Sequence, residues 1–150
     1  MLKIQYVNGS VDGTLALDPS QLTGDLSTDR NSAYVRQFES GKMVTFDSNG
    51  YAKLAVDGDL GAGPLVLDAY GADFENVPAL ASGVMSYMIG GGVAYTDHVV
   101  DTNIVPGDAL YLATGADAGK LTKTAGTGPA VGVARSANSA SDATVLVHFF

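Results

Sequence analysis

Few side chains in this sequence could do chemistry, and one small group of them stands close together. His98 lies in YTDHVVD between Asp97 and Asp101. An Asp–His–Asp cluster can ligate a metal or serve as an acid–base pair. On an extended strand, however, Asp97 and His98 point to opposite faces, because side chains alternate. The second histidine, His148 in VLVHFF, is far along the chain, and there is no cysteine. A zinc site wants more nitrogen or sulfur than that, so His98 reads as a turn or surface residue. Ser86 would need a triad assembled from remote residues, and no G-x-S-x-G elbow presents it. DGDLGAG, from Asp57, opens like a calcium loop, but Gly61 stands at the third acidic position and no Glu closes it. A turn is the better account. IGGGV, from Ile89, lacks the Lys-Ser/Thr of a phosphate loop and the spacing of a dinucleotide fingerprint. Its glycines Gly90, Gly91 and Gly92 mark a bend, or a place where two backbones approach closely. The expectation is a non-catalytic chain with no cofactor and no metal.

Composition sets the wider limits. The chain has 150 residues, enough for one domain or two very small ones. A single domain of that size buries roughly 70% of the surface its unfolded chain exposes. Hydrophobic residues make up 46%, so disorder through low hydrophobicity is not expected. There are 19 glycines against 5 prolines without a Gly-X-Y period, which fits a chain of many tight turns. Only 16% of residues are charged, below the usual quarter. The surface is therefore covered by small polar residues and alanine, or hidden against a partner. The net charge of −8 disfavours nucleic acid, whose phosphates require clustered Lys and Arg. Absence of cysteine excludes disulfides. MLKIQYVNGS lacks a signal peptide's apolar core, and no run reaches the length of a membrane span. The expectation is synthesis and folding in the cytoplasm, with no membrane partner.

The elements that must position these residues are strands. Residues 1–40 form a polar leader: LKIQYV alternates well enough for one strand, NGSVDG supplies turns, and Asp18, Pro19, Gly24 and Asp25 interrupt any helical stripe. The leader reads as an extended N-terminal arm lying on a neighbour. From Gly41 the character changes. KMVTF, the turn DSNG and YAKLAV make a hairpin by spacing and turn chemistry. PLVLDAYG is a further strand. The stretch from Val77 leaves helix and strand open, since Val84, Tyr87, Met88 and Ile89 suit either. HVVDTNIV is β-like, ALYLAT, GKLTKTAG and PAVGVARSA follow between turns, and ATVLVHFF closes the chain as a buried strand. The dispersed Tyr and Phe residues fall mostly at alternating strand positions and read as core.

Two portions, 41–71 and 106–136, look alike. Gly41 pairs with Gly107, Val44 with Leu110, Phe46 with Leu112, Lys53-Leu54 with Lys120-Leu121, and Gly63-Pro64 with Gly128-Pro129. They are an internal duplication, or two examples of one hairpin-plus-strand grammar. Either way the strand spacing indicates an all-β fold, a small antiparallel barrel or sandwich with hairpin units over 41–150.

The last third of the chain resembles the small bacteriophage capsid decoration, or structural cement, proteins. The resemblance rests on the turn Pro106-Gly107-Asp108, the apolar strand over 109–112, the Gly-Lys-Leu-Thr of 119–122, the Val-Gly-Val-Ala of 131–134, a small-residue loop, and the terminal apolar strand over 143–147. It implies a virion location on the outer capsid surface, the major capsid protein as partner, homotrimers, and no catalysis. The possible second unit over 41–71 departs from the family's pattern. Low charge suits a surface buried between partners, and net acidity suits a subunit that must not bind the genome. Gly90, Gly91 and Gly92, which permit close approach, and His148, Phe149 and Phe150, apolar at a chain end, are the candidate trimer contacts. The competing reading is a glycan- or host-binding β-domain of a phage fibre or tail. A hydrolase built on Asp97 and His98 is the third.

Overall fold

The structure, a computed structural model, describes residues 3–7, 11–70 and 83–150, with side chains over 13–70 and 83–150. Of the turns expected in NGSVDG, residues 8–10 lie outside these, as do residues 71–82, whereas Val11, Asp12 and Gly13 begin a strand instead of turning. The fold is all-β and its sheets are antiparallel, as the strand spacing requires.

A long two-stranded pairing runs through the molecule. β1 (Lys3–Val7) pairs with β7 (Gly92–Thr96), from Lys3↔Tyr95 to Val7↔Gly92 with a bulge between Ile4 and Tyr6. β2 (Val11–Ala16) pairs with β6 (Val84–Ile89), from Val11↔Ile89 to Ala16↔Val84. The two halves belong to different sheets. Between β6 and β7 the chain passes through Gly90 and Gly91, with φ of 66° and 42°. A side chain there would meet the following carbonyl, so only glycine takes that corner readily.

The first sheet has the order β1-β7-β11-β10-β8-β9. It adds β8 (Ala109–Leu112), β9 (Leu121–Thr122), β10 (Gly132–Ala134) and β11 (Val145–Phe149). A parallel bridge, Val99↔Leu121, brings the chain just after β7 round to β9, so the sheet curls. Along β11 burial alternates: Val145, Val147 and Phe149 are buried, while Leu146 and His148 are half-buried. The buried set joins Ala94, Ile104, Leu110, Leu112, Leu121 and Ala134 in one core.

The second sheet system begins with β3 (Met43–Phe46), β4 (Ala52–Leu54) and β5 (Gly63–Pro64), in the order β4-β3-β5. Bridges Leu65↔Tyr87 and Ala16↔Tyr51 tie it to β6 and β2, so these strands close into a ring. Val44, Ala52, Leu65, Met85 and Tyr87 form its core with Leu15, Leu17, Val35, Phe38 and Ala69. β3 and β6 are walls common to both cores: Met43 and Met88 pack into the first, Val44 and Tyr87 into the second. Adjacent residues on opposite faces of a strand are thus both buried, which blurs the period-2 signal of β6.

The expected hairpin is present, with Val44↔Leu54, Thr45↔Lys53 and Phe46↔Ala52 in register. Asp47 holds its turn by accepting from the amides of Asn49 and Tyr51 at 2.8 and 3.0 Å. Two expected strands shrink: PLVLDAYG contributes Pro64 of β5 and the bridge at Leu65, and HVVDTNIV only the bridge at Val99. The two similar portions share a strand order, β4-β3-β5 and β9-β8-β10. Their registers differ. Val44 faces both Leu54 and Gly63, whereas Leu112 faces Leu121 and Leu110 faces Gly132.

The leader is not an extended arm over its described length. β2 is fully paired, and Leu15, Leu17, Val35 and Phe38 are buried in the second core. Between them lie a 3-10 turn (Pro19–Gln21) and two single-turn helices, α1 (Leu26–Asp29) and α2 (Ala33–Arg36). Side chains of Asp18, Asp25 and Ser32 cap these turns by accepting from Ser20, Ser27 and Val35 amides. Asp29 is buried and accepts from Thr23 N and Oγ1, both at 2.7 Å, and from Gly24 N at 3.0 Å. The apolar residues of this segment are too widely spaced to show a period, yet Leu15, Leu17, Val35 and Phe38 reach the core because capped turns redirect the chain between Leu17 and Val35, while Leu26 stays half exposed.

Candidate functional site

His98 and Asp97 follow the end of β7, at the seam between the two sheet systems. The buried Thr96 hydroxyl donates to Gly41 O at 3.1 Å and accepts from His98 N at 3.1 Å. That pins the 97–98 corner to the loop before β3. His98 Nε2 lies 3.7 Å from Asp97 Oδ1 and 3.9 Å from Glu39 Oε2, and Glu39 in turn pairs with Lys42 at 3.1 Å. Asp97 and His98 are neighbours here because the strand has already ended, so alternation no longer separates them. Burial lowers the His98 pKa below the usual histidine range, and the Asp97 and Glu39 carboxylates only partly offset this. A neutral imidazole at neutral pH follows.

Asp101, the other acid of the motif, is engaged elsewhere. Its Oδ2 accepts from Thr122 Oγ1 and Lys123 N, both at 2.8 Å. Among the described residues no group of three or more His, Cys, Asp or Glu side chains is placed to hold a metal ion. Ser86 sits exposed on β6 opposite Thr14, and no described hydrogen bond joins it to His98. The acids of DGDLGAG are also saturated by protein donors. Asp57 accepts from Thr127 N and Oγ1 at 2.7 and 2.8 Å and from Gly128 N at 2.8 Å. The Thr127 amide first of all, then the Gly128 amide and Thr127 hydroxyl, hold the Asp57 carboxyl below its ordinary range. Asp59 takes Lys53 Nζ and Val56 N, both at 2.9 Å. Asp57 thus clips two loops together across a long sequence separation, and Asp59 closes its own turn against β4.

Among the described residues, clefts open on two parts of the surface. One, of about 340 Å³, is bordered by Val100, Thr114, Asp117, Thr122 and Thr124. Its polar groups are largely committed: Asp117 pairs with Lys120 at 2.8 Å, and the Thr122 hydroxyl donates to Asp101 while accepting from Thr124 N. The other, a groove of about 270 Å³, opens where the loop over 59–62, the end of β6, residues 129–131 and Phe150 meet. Leu60, Ile89 and Phe150 line it and are exposed. Phe46, also exposed, flanks it against Gly61.

The six residues nominated from sequence are divided by the fold. Gly90 and Phe150 line the groove. The His148 ring meets the Phe150 ring edge-on, centroids 6.2 Å apart, and braces it. Gly91 shapes the corner. Gly92 and Phe149 face each other within the first sheet, with Phe149 in its core, so they serve the chain's own fold. Sequence reading passed over Leu60, Ile89 and Phe46. The available signal was an apolar residue in or beside each of two Gly-rich turns, Leu60 within DGDLGAG and Ile89 at the head of IGGGV. No family model, no curated protein and no solved structure matches the chain.

Proposed function

We propose that this chain is a non-catalytic docking protein of the phage head decoration type. It binds the outer surface of an assembled capsid and stabilises the shell across subunit boundaries. The observation that carries the reading is the exposed apolar groove around Leu60, Ile89 and Phe150, set on a frame of two packed cores. A contiguous exposed apolar patch of this kind marks a site of association. The loops beside it are fixed by Asp57 and Asp59, so the groove is preorganised and little ordering entropy is lost on docking. The resemblance over the last third supplies the kind of partner, and its motif residues form the turn, β8, β9, β10 and β11 in the first sheet. Self-association as a trimer belongs to the same proposal.

The test is co-sedimentation of the purified protein with expanded heads assembled without it. Saturable binding in fixed ratio to the shell subunit is expected, with bound protein remaining accessible to added protease. Failure of the folded protein to bind at any salt concentration rejects the proposal.

A further inference from the structure

Four apolar side chains at the groove are left uncovered by the chain: Leu60 is 74% exposed, Phe150 63%, Phe46 53% and Ile89 43%. Together they present on the order of 400 Å² of apolar surface. One side of a standard protein interface hides about 800 Å². The patch is therefore large enough for the apolar centre of an interface and needs a rim around it.

The rim is acidic. Asp57 and Asp59 stand on the loop that forms one wall, and Asp47 follows Phe46 in the chain. Lys53, paired to Asp59, is the basic side chain set against them. A second copy would bring an identical acidic rim and another net charge of −8, and like charges face to face oppose such a contact. A sugar is also poorly served. The groove is lined chiefly by apolar side chains, and both carboxylate oxygens of its Asp59 already accept protein donors. We infer that the groove takes an apolar segment of a partner protein whose flanks carry lysine or arginine. The inference rests on the docking reading above and supplies the chemistry of the partner at that site. Leu60 and Phe150 are the anchors, since they are the most exposed of the four and line the same groove. The acidic rim steers the basic flanks and fixes their register.

Expanded heads assembled without this protein serve as the probe, and binding is read by co-sedimentation at low and high salt. Leu60→Asp and Phe150→Asp replace side chains that point away from both cores, and circular dichroism and the melting temperature show that each variant folds. Ser48→Lys places a positive charge on the exposed turn between Asp47 and Asn49. Each Asp substitution is expected to weaken binding at least tenfold, Ser48→Lys severalfold, and wild-type affinity to fall as salt rises. Heads that bind wild type and both Asp variants equally overturn the groove as the site while leaving the docking reading intact. Heads that bind no wild-type protein overturn both. Affinity indifferent to salt and to Ser48→Lys overturns the basic partner. A wild-type oligomer that Leu60→Asp dissolves to monomers in sedimentation velocity assigns the groove to a second copy and overturns the inference.

Discussion

Replacing Phe38 by Ala tests whether the leader belongs to the core. Phe38 has no exposed surface and meets Tyr34 edge-on with ring centroids 5.3 Å apart. Its backbone is held as well: its N–H donates to Val35 O at 3.1 Å, and its carbonyl accepts from Ala69 N at 2.9 Å. The substitution leaves those backbone bonds and removes the ring. Losing a buried Phe costs about 3–5 kcal/mol in transfer and cavity terms, against a total stability of about 5–15 kcal/mol. At roughly 2–4 °C per kcal/mol for a chain of this size, the melting temperature falls by roughly 10 °C. Urea unfolding followed by far-UV circular dichroism gives the free energy, and an unchanged slope shows that the change lies in stability. A loss below about 1 kcal/mol would refute the placement and restore the leader as a peripheral arm. Deleting residues 17–38 is expected to unfold the purified protein for the same reason.

Other outcomes follow from the same packing. Gly63→Ala drives a methyl group into the Met88 carbonyl oxygen on the neighbouring β6, so the variant is expected to melt far below wild type or fail to fold, whereas Gly24→Ala meets no neighbouring atom and loses only about 1–2 kcal/mol through its positive φ. Burial lowers the His98 pKa in the folded chain, so the unfolded chain takes up the proton first as pH falls through about 6.5. Stability declines from there down to the folded pKa, and His98→Gln removes that component from a denaturation series between pH 8 and 5. Hydrogen bonds, led by those from the Thr127 and Thr23 amides, lower the Asp57 and Asp29 pKa values. Their stabilisation is whole above the unfolded value of about 3.9 and is lost as pH falls towards the folded one. Asp57→Asn is therefore less stable than wild type at pH 7, and the difference narrows in acid. Asp97→Ala and His98→Ala leave head binding within about twofold, well under the tenfold that 1.4 kcal/mol represents, as neither residue lines the groove.

Strand existence was legible in β11 and in the β3–β4 hairpin, but not in β2, where Asp12 and Gly13 look like a turn. β11 alternates cleanly, and the β3–β4 hairpin is announced by Asp47 and Gly50 in its turn. Legibility failed where burial has two sides or depends on distant partners. Tyr87 and Met88 are both buried because β6 separates two cores, a situation that no local period can signal. Leu17, Val35 and Phe38 enter the second core through capped turns, and their spacing carries no repeat. The bend at Gly90 and Gly91 was readable from glycine alone. The groove beside it was not, because its walls come from loop 59–62, β6, residues 129–131 and Phe150, which only the closed topology brings together. DGDLGAG reads as a turn in sequence, but the partners that hold Asp57, Thr127 and Gly128, are some seventy residues away.

The proposed function is that this protein stabilises a shell already built. A ligand that binds only the assembled state adds RT ln(1 + [L]/Kd) to its stability, about 2.7 kcal/mol per site at a hundredfold excess over Kd. Repeated over symmetric sites, that gain resists the pressure of packaged DNA. The direct measurement is the temperature at which DNA-filled heads lacking the protein release their DNA, recorded with and without saturating purified protein. The account predicts a higher release temperature with the protein present, and no such rise with Leu60→Asp at the same concentration. Heads that bind the wild-type protein to saturation and still release their DNA at an unchanged temperature would contradict it.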